Sequence, residues 1–163
     1  MSAVGERRVT AIAVPRLAPA TMALAWVPVV AWMAVIFSLS SDRFSDVHSA
    51  AWLSGILGAL GIPPAVVGVG NLIVRKTAHF VEYAALSLLT FRAARLTWPL
   101  RTGLRPLVIV FALAVACACL DELRQYVLTE SRTGTIRDVL VDSTGAIAVV
   151  VFLYARTRRR STA

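Results

Sequence analysis

Residues 75–89 read RKTAHFVEYAALSLL, an apolar stretch that carries three ionisable side chains, Lys76, His79 and Glu82. At about 100° per residue these side chains share one stripe of a helix with Tyr83, while the other faces are mostly apolar. An ionisable group in hydrocarbon is costly unless it meets a partner or water, so it marks a candidate functional site. The stretch therefore predicts a membrane helix with one chemically active face.

The composition is that of an integral membrane protein. Of the 163 residues, 58% are hydrophobic and 16% are charged, whereas about a quarter are charged in a soluble domain. The net charge of +8 would suit a nucleic-acid partner, but most arginines flank apolar runs and no phosphate-cradling glycine loop occurs. We therefore expect no nucleic-acid binding. Cys117 and Cys119 lie in an apolar run and are expected to be packing residues.

Four apolar runs are long enough to cross about 30 Å of hydrocarbon as helices. They predict helices over residues 20–39, 72–95, 106–127 and 136–154. Residues 45–61 predict a short helix along the membrane surface, and Asn71 is the expected N-cap of the second spanning helix. The predicted fold is an all-α integral membrane bundle of four transmembrane helices, with a short interfacial helix between the first and the second.

Basic residues are distributed unevenly along this topology. Residues 20–155 are predicted to form one membrane domain, between a basic N-terminal segment (1–19) and a basic tail (156–163). With four spans, both termini and the connection between the second and third helices share one side, which holds eleven of the seventeen basic residues and only the acid Glu6. By the positive-inside rule this side is cytoplasmic. Both termini are therefore expected in the cytoplasm, and the other eight acids in the outer half.

Polar residues of three helix ends are expected to meet at that outer face. They are Lys76, His79, Glu82 and Tyr83 in the second helix, Asp121, Glu122 and Gln125 at the end of the third, and Arg132, Arg137, Asp138 and Asp142 around the start of the fourth. Guanidinium groups suit phosphate or carboxylate. Paired acids suit general acid–base catalysis or a divalent cation, and a histidine transfers protons near neutral pH.

Two of these segments carry a family resemblance. RKTAHFVEYAAL (75–86) resembles the KxxHFxEYxxL signature of the VanZ-like family of bacterial membrane proteins, named for a teicoplanin-resistance protein. DELRQ (121–125) followed by SRTGTIRDVLVDSTG (131–145) resembles that family's second signature, DExxQ, then Arg, then DxxxNxxG. FSLSS (37–41) resembles the segment after the family's first helix.

The resemblance extends over about residues 35–150. Carried over position by position, it marks Lys76, His79, Glu82, Tyr83, Asp121, Glu122, Gln125, Arg132, Asp138 and Gly145. Asp142 departs from the pattern, because the family usually has Asn there, and the usual Pro before the loop Arg is missing. The resemblance implies a protein of the bacterial cytoplasmic (inner) membrane that acts at the outer face of this membrane in cell-envelope biology. By a remote proposed kinship with membrane phosphatidyltransferases, it also implies chemistry on lipid-linked phosphates.

The first hypothesis is an intramembrane phosphotransferase or phosphohydrolase. It would act on the phosphate or pyrophosphate head group of a membrane lipid or a lipid-linked envelope precursor. The expected catalytic residues are His79, Glu82, Asp121, Glu122 and Asp138. His79 would be the nucleophile or the general acid–base, and Glu82 would orient it. Asp121, Glu122 and Asp138 would bind a divalent cation or a second substrate. The expected substrate-binding residues are Lys76, Tyr83, Gln125, Arg132, Arg137 and Asp142.

Two alternatives use the same residues. The second hypothesis is a non-catalytic binder of a lipid head group or a cell-wall peptide, which would contribute to glycopeptide-antibiotic resistance. The third is a set of satisfied polar pairs that only hold the helices together. Four helices without an inverted repeat argue against a transporter, and the oligomeric state is not indicated by the sequence.

Overall fold

The computed structural model describes residues 18–41, 46–98, 104–128 and 135–161. In this part of the chain all regular structure is helical and there is no strand. Five helices follow in chain order: α1 (Pro19–Leu39), α2 (Asp46–Ala59), α3 (Pro64–Thr97), α4 (Arg105–Leu128) and α5 (Ile136–Ser161). The all-α prediction is confirmed, and α2 stands where the short second helix was expected.

Helix α3 is the centre of the bundle. Helices α1, α2, α4 and α5 all pack against it, and α4 also packs against α5. The main apolar core draws buried residues from four helices, among them Ile36 of α1, Leu86 of α3, Ala118 of α4 and Ala146 of α5. The polar stripe of α3 is therefore placed among neighbouring helices.

Three helices have the length and apolar character needed to cross a membrane: α1, α4 and α5, the last over Ile136–Arg159. These three spans indicate a multi-pass membrane protein. Helix α3 was the fourth predicted span, and it is not among the described helices that meet this criterion. Its ionisable residues, including Lys76, Glu82 and Arg92, lower its hydropathy.

The start of α3 differs from the prediction. Asn71 is not an N-cap; it lies buried inside the helix, which begins at Pro64 about two turns earlier. Pro64 occupies the first turn and the preceding Pro63 is extended, which is the arrangement that favours helix initiation at a proline. At 34 residues, α3 is about 50 Å long.

Helix α5 begins at Ile136, as the sequence predicts, and continues to Ser161 through the basic tail. Thr135 caps its first turn: the hydroxyl accepts the backbone N–H of Asp138 at 3.3 Å and donates to Asp138 Oδ2 at 3.0 Å. Such a cap satisfies a backbone donor that the helix itself leaves unpaired. The cap fixes Asp138 at the start of α5.

Helices α3 and α5 approach each other most closely at Gly145. A Cβ built there would collide with the carbonyl oxygen of Phe80 and lie 3.1 Å from the backbone nitrogen of Ala84. A small residue at a helix crossing permits this separation of the two backbones. This contact sets the distance between the side chains of α3 and α5 that form the candidate site.

Candidate functional site

The central contact of the candidate site joins His79 of α3 to Asp142 of α5. Nδ1 of the imidazole lies 2.9 Å from Oδ1 of the carboxylate, and the Asp142 side chain is completely buried while that of His79 is 14% exposed. Asp142 precedes Gly145 by less than one turn, so the close backbone approach brings the two groups together. A carboxylate at one imidazole nitrogen orients the ring and stabilises its protonated form.

A second ion pair lies one turn nearer the start of both helices. Lys76 Nζ contacts Asp138 Oδ1, with side chains 40% and 27% exposed. The Lys76–Asp138 and His79–Asp142 contacts follow the same order along both helices, so α3 and α5 run parallel. The Lys76–Asp138 pair therefore marks the solvent-accessible margin of the site, and His79–Asp142 lies deeper.

Asp121 of α4 is completely buried and receives three donors. Ser40 Oγ donates to its Oδ2 at 2.5 Å, Gln125 Nε2 donates to the same oxygen at 2.9 Å, and Arg124 Nη2 lies 3.4 Å from Oδ1. Arg124 also donates to the carbonyl of Phe37 at 2.6 Å. Buried carboxylates need such partners, and these contacts tie the end of α1 to the end of α4.

Glu122, next to Asp121, supports the start of α5. Its Oε2 accepts the backbone N–H of Thr135 at 2.7 Å, and Gln125 Nε2 lies 3.4 Å from its Oε1. A carboxylate at a helix N-terminus pairs with free backbone donors and with the positive end of the helix dipole. Glu122 therefore has a structural contact in addition to the catalytic role that the sequence suggests.

Tyr83 connects the acids of the two helices that face α3. Its side chain is completely buried. The hydroxyl lies beside the thiol of Cys117 and is close enough to Asp142 and Asp121 to interact with both electrostatically. Tyr83 thus stands between the carboxylates of α4 and α5.

The structure brings together eight of the eleven predicted site residues: Lys76, His79, Tyr83, Asp121, Glu122, Gln125, Asp138 and Asp142. Glu82 is half-buried and its carbonyl accepts the indole N–H of Trp32 at 2.9 Å. Arg137 is exposed at the start of α5, and Arg132 lies outside the described residues. Proximity is a structural finding, whereas the catalytic and binding roles of these residues stay predictions.

Three residues of the site were not predicted: Ser40, Arg124 and Thr135. Signals from the family resemblance existed for two of them, because Ser40 lies in FSLSS and Arg124 lies in DELRQ. The sequence did not indicate which residues they would contact, since Ser40 and Asp121, for example, are 81 residues apart. One sequence does not give distances across such a separation.

Acids outnumber cations in this cluster. Asp121, Glu122, Asp138 and Asp142 face the cations Lys76 and Arg124. Within the described residues, no three His, Cys, Asp or Glu side chains are arranged to hold a metal ion. The arrangement is suited to proton transfer through His79. The excess of acids favours a ligand that carries positive charge, whereas Lys76 and the exposed Arg137 are the groups available to an anion.

Comparison with known proteins identifies a family for this chain. The family model described as VanZ/LLP1 matches residues 25–157, which is most of the chain and runs from the first turns of α1 to the last turns of α5. Neither the curated proteins nor the solved structures contain a match.

Proposed function

The chain belongs to the VanZ/LLP1 family, and on this premise we propose that it acts on phosphate or pyrophosphate head groups in a bacterial cytoplasmic membrane. The substrates would be envelope lipids or lipid-linked cell-wall precursors. The proposal includes α3 as a fourth span. A helix whose polar face meets other helices can cross a membrane although its mean hydropathy is low.

The distribution of charge supports an orientation with both termini in the cytoplasm. Exposed arginines occupy the end of α3, the start of α4 and the end of α5; they are Arg92, Arg95, Arg105, Arg156, Arg158 and Arg159. The acids of the candidate site lie at the opposite ends of the same helices. By the positive-inside rule we expect the arginine end to face the cytoplasm, and this orientation would put the site in the outer half of the membrane.

The observation that carries the proposal is the contact between His79 and the buried Asp142. With Nδ1 held by Asp142, Nε2 of the neutral imidazole takes the proton of a water or alcohol as its oxygen attacks phosphorus. The bond from phosphorus to the leaving oxygen breaks, and the imidazolium returns the proton to that oxygen. Asp142 stays ionised and stabilises the imidazolium between the two steps.

Lys76 is the residue best placed to hold the phosphate. It lies at the margin of the site and its side chain is 40% exposed, so an arriving head group can share its ammonium with Asp138. Arg137 is exposed on the same turn of α5 as Asp138 and offers a planar guanidinium for phosphate oxygens. Because the surroundings are partly apolar, these contacts are stronger than they would be in water.

Turnover of a polyprenyl pyrophosphate in lipid nanodiscs tests the proposal. We expect the purified protein to release phosphate, or to transfer it to an added alcohol, and His79→Ala and Asp142→Ala to abolish the reaction. Thr144→Ala is the matched control on α5, because Thr144 is exposed and its hydroxyl donates to the carbonyl of Val141 at 2.6 Å. In cells, His79→Ala should change the pools of lipid-linked cell-wall precursors. No turnover together with unchanged pools would reject the proposal.

The excess of acids favours a second candidate, a non-catalytic binder. The site has four carboxylates and two cations, Lys76 and Arg124. This excess of negative charge suits a ligand with an ammonium group, such as an aminated lipid head group or a cell-wall peptide. Binding of this kind would contribute to glycopeptide-antibiotic resistance by occupying the target. Here native mass spectrometry should detect a bound ligand that His79→Ala weakens, and no product should form.

A further inference from the structure

The polar stripe of α3 continues beyond the candidate site. Ser87 and Thr90 follow Tyr83 by four and seven residues, so the three side chains lie on one face of the helix. Ser87 and Thr90 are both completely buried. Within the described part of the chain, neither hydroxyl has a hydrogen-bond partner.

This situation is unusual for hydroxyls in a helix, which commonly donate to a carbonyl of the preceding turn. Ser143 of α5 does so, with its Oγ 2.7 Å from the carbonyl oxygen of Val139, and Thr97 of α3 donates to Ala93 at 2.9 Å. A buried hydroxyl without any partner destabilises the fold, because it has given up its hydrogen bonds to water. Two such groups on adjacent turns of one face therefore point to an additional partner.

The spacing of these hydroxyls suits a bridging water molecule. Side chains three residues apart on a helix are about 5–6 Å apart at Cβ, so one water molecule can bond to both Ser87 and Thr90. Buried waters typically have two to four polar partners. Because Tyr83 lies beside Cys117 and α4 runs antiparallel to α3, Leu113 is the residue of α4 at the level of Ser87. The small, buried Ala114 is its neighbour on the face of α4 that Cys117 shares.

We propose that the bundle binds ordered water at Ser87 and Thr90, forming a hydrated path that leads from Asp142 past Tyr83 toward the arginine end. The path from His79 to Thr90 covers eleven residues of α3, or about 16 Å. Oδ1 of Asp142 lies 2.9 Å from His79 Nδ1, and among the described residues neither carboxylate oxygen has a well-aligned hydrogen bond, so this carboxylate is the polar group at the site end of the path. Such a path gives protons access to the His79–Asp142 pair from inside the bundle, and it does not depend on which ligand the site takes.

Radiolytic labelling with mass spectrometry tests the proposal in nanodiscs, because ionising radiation generates hydroxyl radicals from internal water as well as from bulk water. We expect wild-type protein to be labelled at Leu86 well above the level at Ile36 of α1, an aliphatic residue of similar reactivity; both are 0% exposed. No labelling of Leu86 above that of Ile36 overturns the proposal. This comparison needs no substitution.

The variants sharpen the test. Ser87→Ala combined with Thr90→Val preserves shape and removes both hydroxyls, so labelling of Leu86 should fall several-fold. Ser143→Ala is the matched control, because Ser143 is a buried serine whose hydroxyl already has a partner in its own helix. Unchanged labelling in the double variant overturns the proposal. A rise in Tm of the double variant does so too, since that result is expected when unpartnered hydroxyls are removed from a dry core.

Discussion

Nδ1 of His79 lies 2.9 Å from Oδ1 of Asp142, whose side chain has no exposed surface. Replacing Asp142 by Asn separates the contribution of its negative charge from that of its shape. Asp142→Asn should still orient the imidazole but should not balance an imidazolium. We therefore expect head-group turnover to fall by about a hundredfold or more, while Tm stays level or rises because a buried carboxylate is removed. Full turnover in this variant would show that the charge is not used.

The close approach of α3 and α5 makes Gly145 sensitive to substitution. Gly145→Ala places a Cβ against the carbonyl of Phe80, so the helices must separate, at a cost of about 1–3 kcal/mol. Thermal unfolding in detergent measures the loss. Gly68→Ala is the matched control in α3, since a Cβ there meets nothing within 4 Å, and it should be neutral or stabilising. Equal effects of the two substitutions would contradict the packing at Gly145.

Ser40 should stabilise the protein through its contact with Asp121. Ser40→Ala removes a donor from a buried carboxylate, and we expect Tm to fall by the equivalent of about 1–3 kcal/mol. Ser38→Ala provides the comparison, because Ser38 is exposed and its hydroxyl donates to Ala34 in the same helix at 2.7 Å. If both variants melt alike, the contact between α1 and α4 does not contribute to stability.

The Lys76–Asp138 pair should contribute little to stability. Both side chains are partly exposed, and such pairs have coupling energies of about 0.2–1 kcal/mol. A double-mutant cycle with Lys76→Gln and Asp138→Asn, followed by denaturant or thermal unfolding, measures this energy. Lys76→Gln should nevertheless raise KM for a phosphate-bearing lipid. A coupling energy of several kcal/mol would mean that the pair is structural.

The two ends of α4 provide a test of orientation. Leu104 and Leu128 flank the helix and are 61% and 70% exposed. In a background in which the exposed Cys119 is replaced by Ser, an impermeant thiol reagent applied to intact cells should label Leu128→Cys and not Leu104→Cys. The opposite pattern would place the candidate site on the cytoplasmic side.

The sequence predicted the helices and the meeting of their polar ends well, for a physical reason. Apolar runs of membrane length and the helical period of residues 76–83 depend on local spacing, and α1, α4 and α5 begin within one residue of the predicted positions. The start of α3 was missed because two prolines were interpreted as an interruption, although Pro64 initiates the helix. Ser40 was missed because its contact with Asp121 joins segments 81 residues apart, and no local pattern encodes such a contact. Thr135 did have a local signal, because Thr135 and Asp138 have the spacing of a helix cap, but its contact with Glu122 had none.

The contacts between the parallel helices α3 and α5 also determine how the two helices are aligned along their length. If α5 slid by one turn along α3, Lys76 would meet Asp142, His79 would face the methyl group of Ala146, and Asp138 would lose its cation. Gly145 would leave Phe80 at the same time, and the bulkier Val149 would arrive at the crossing. This misalignment combines a carboxylate that has lost its cation with a steric clash, so the observed alignment is favoured over it.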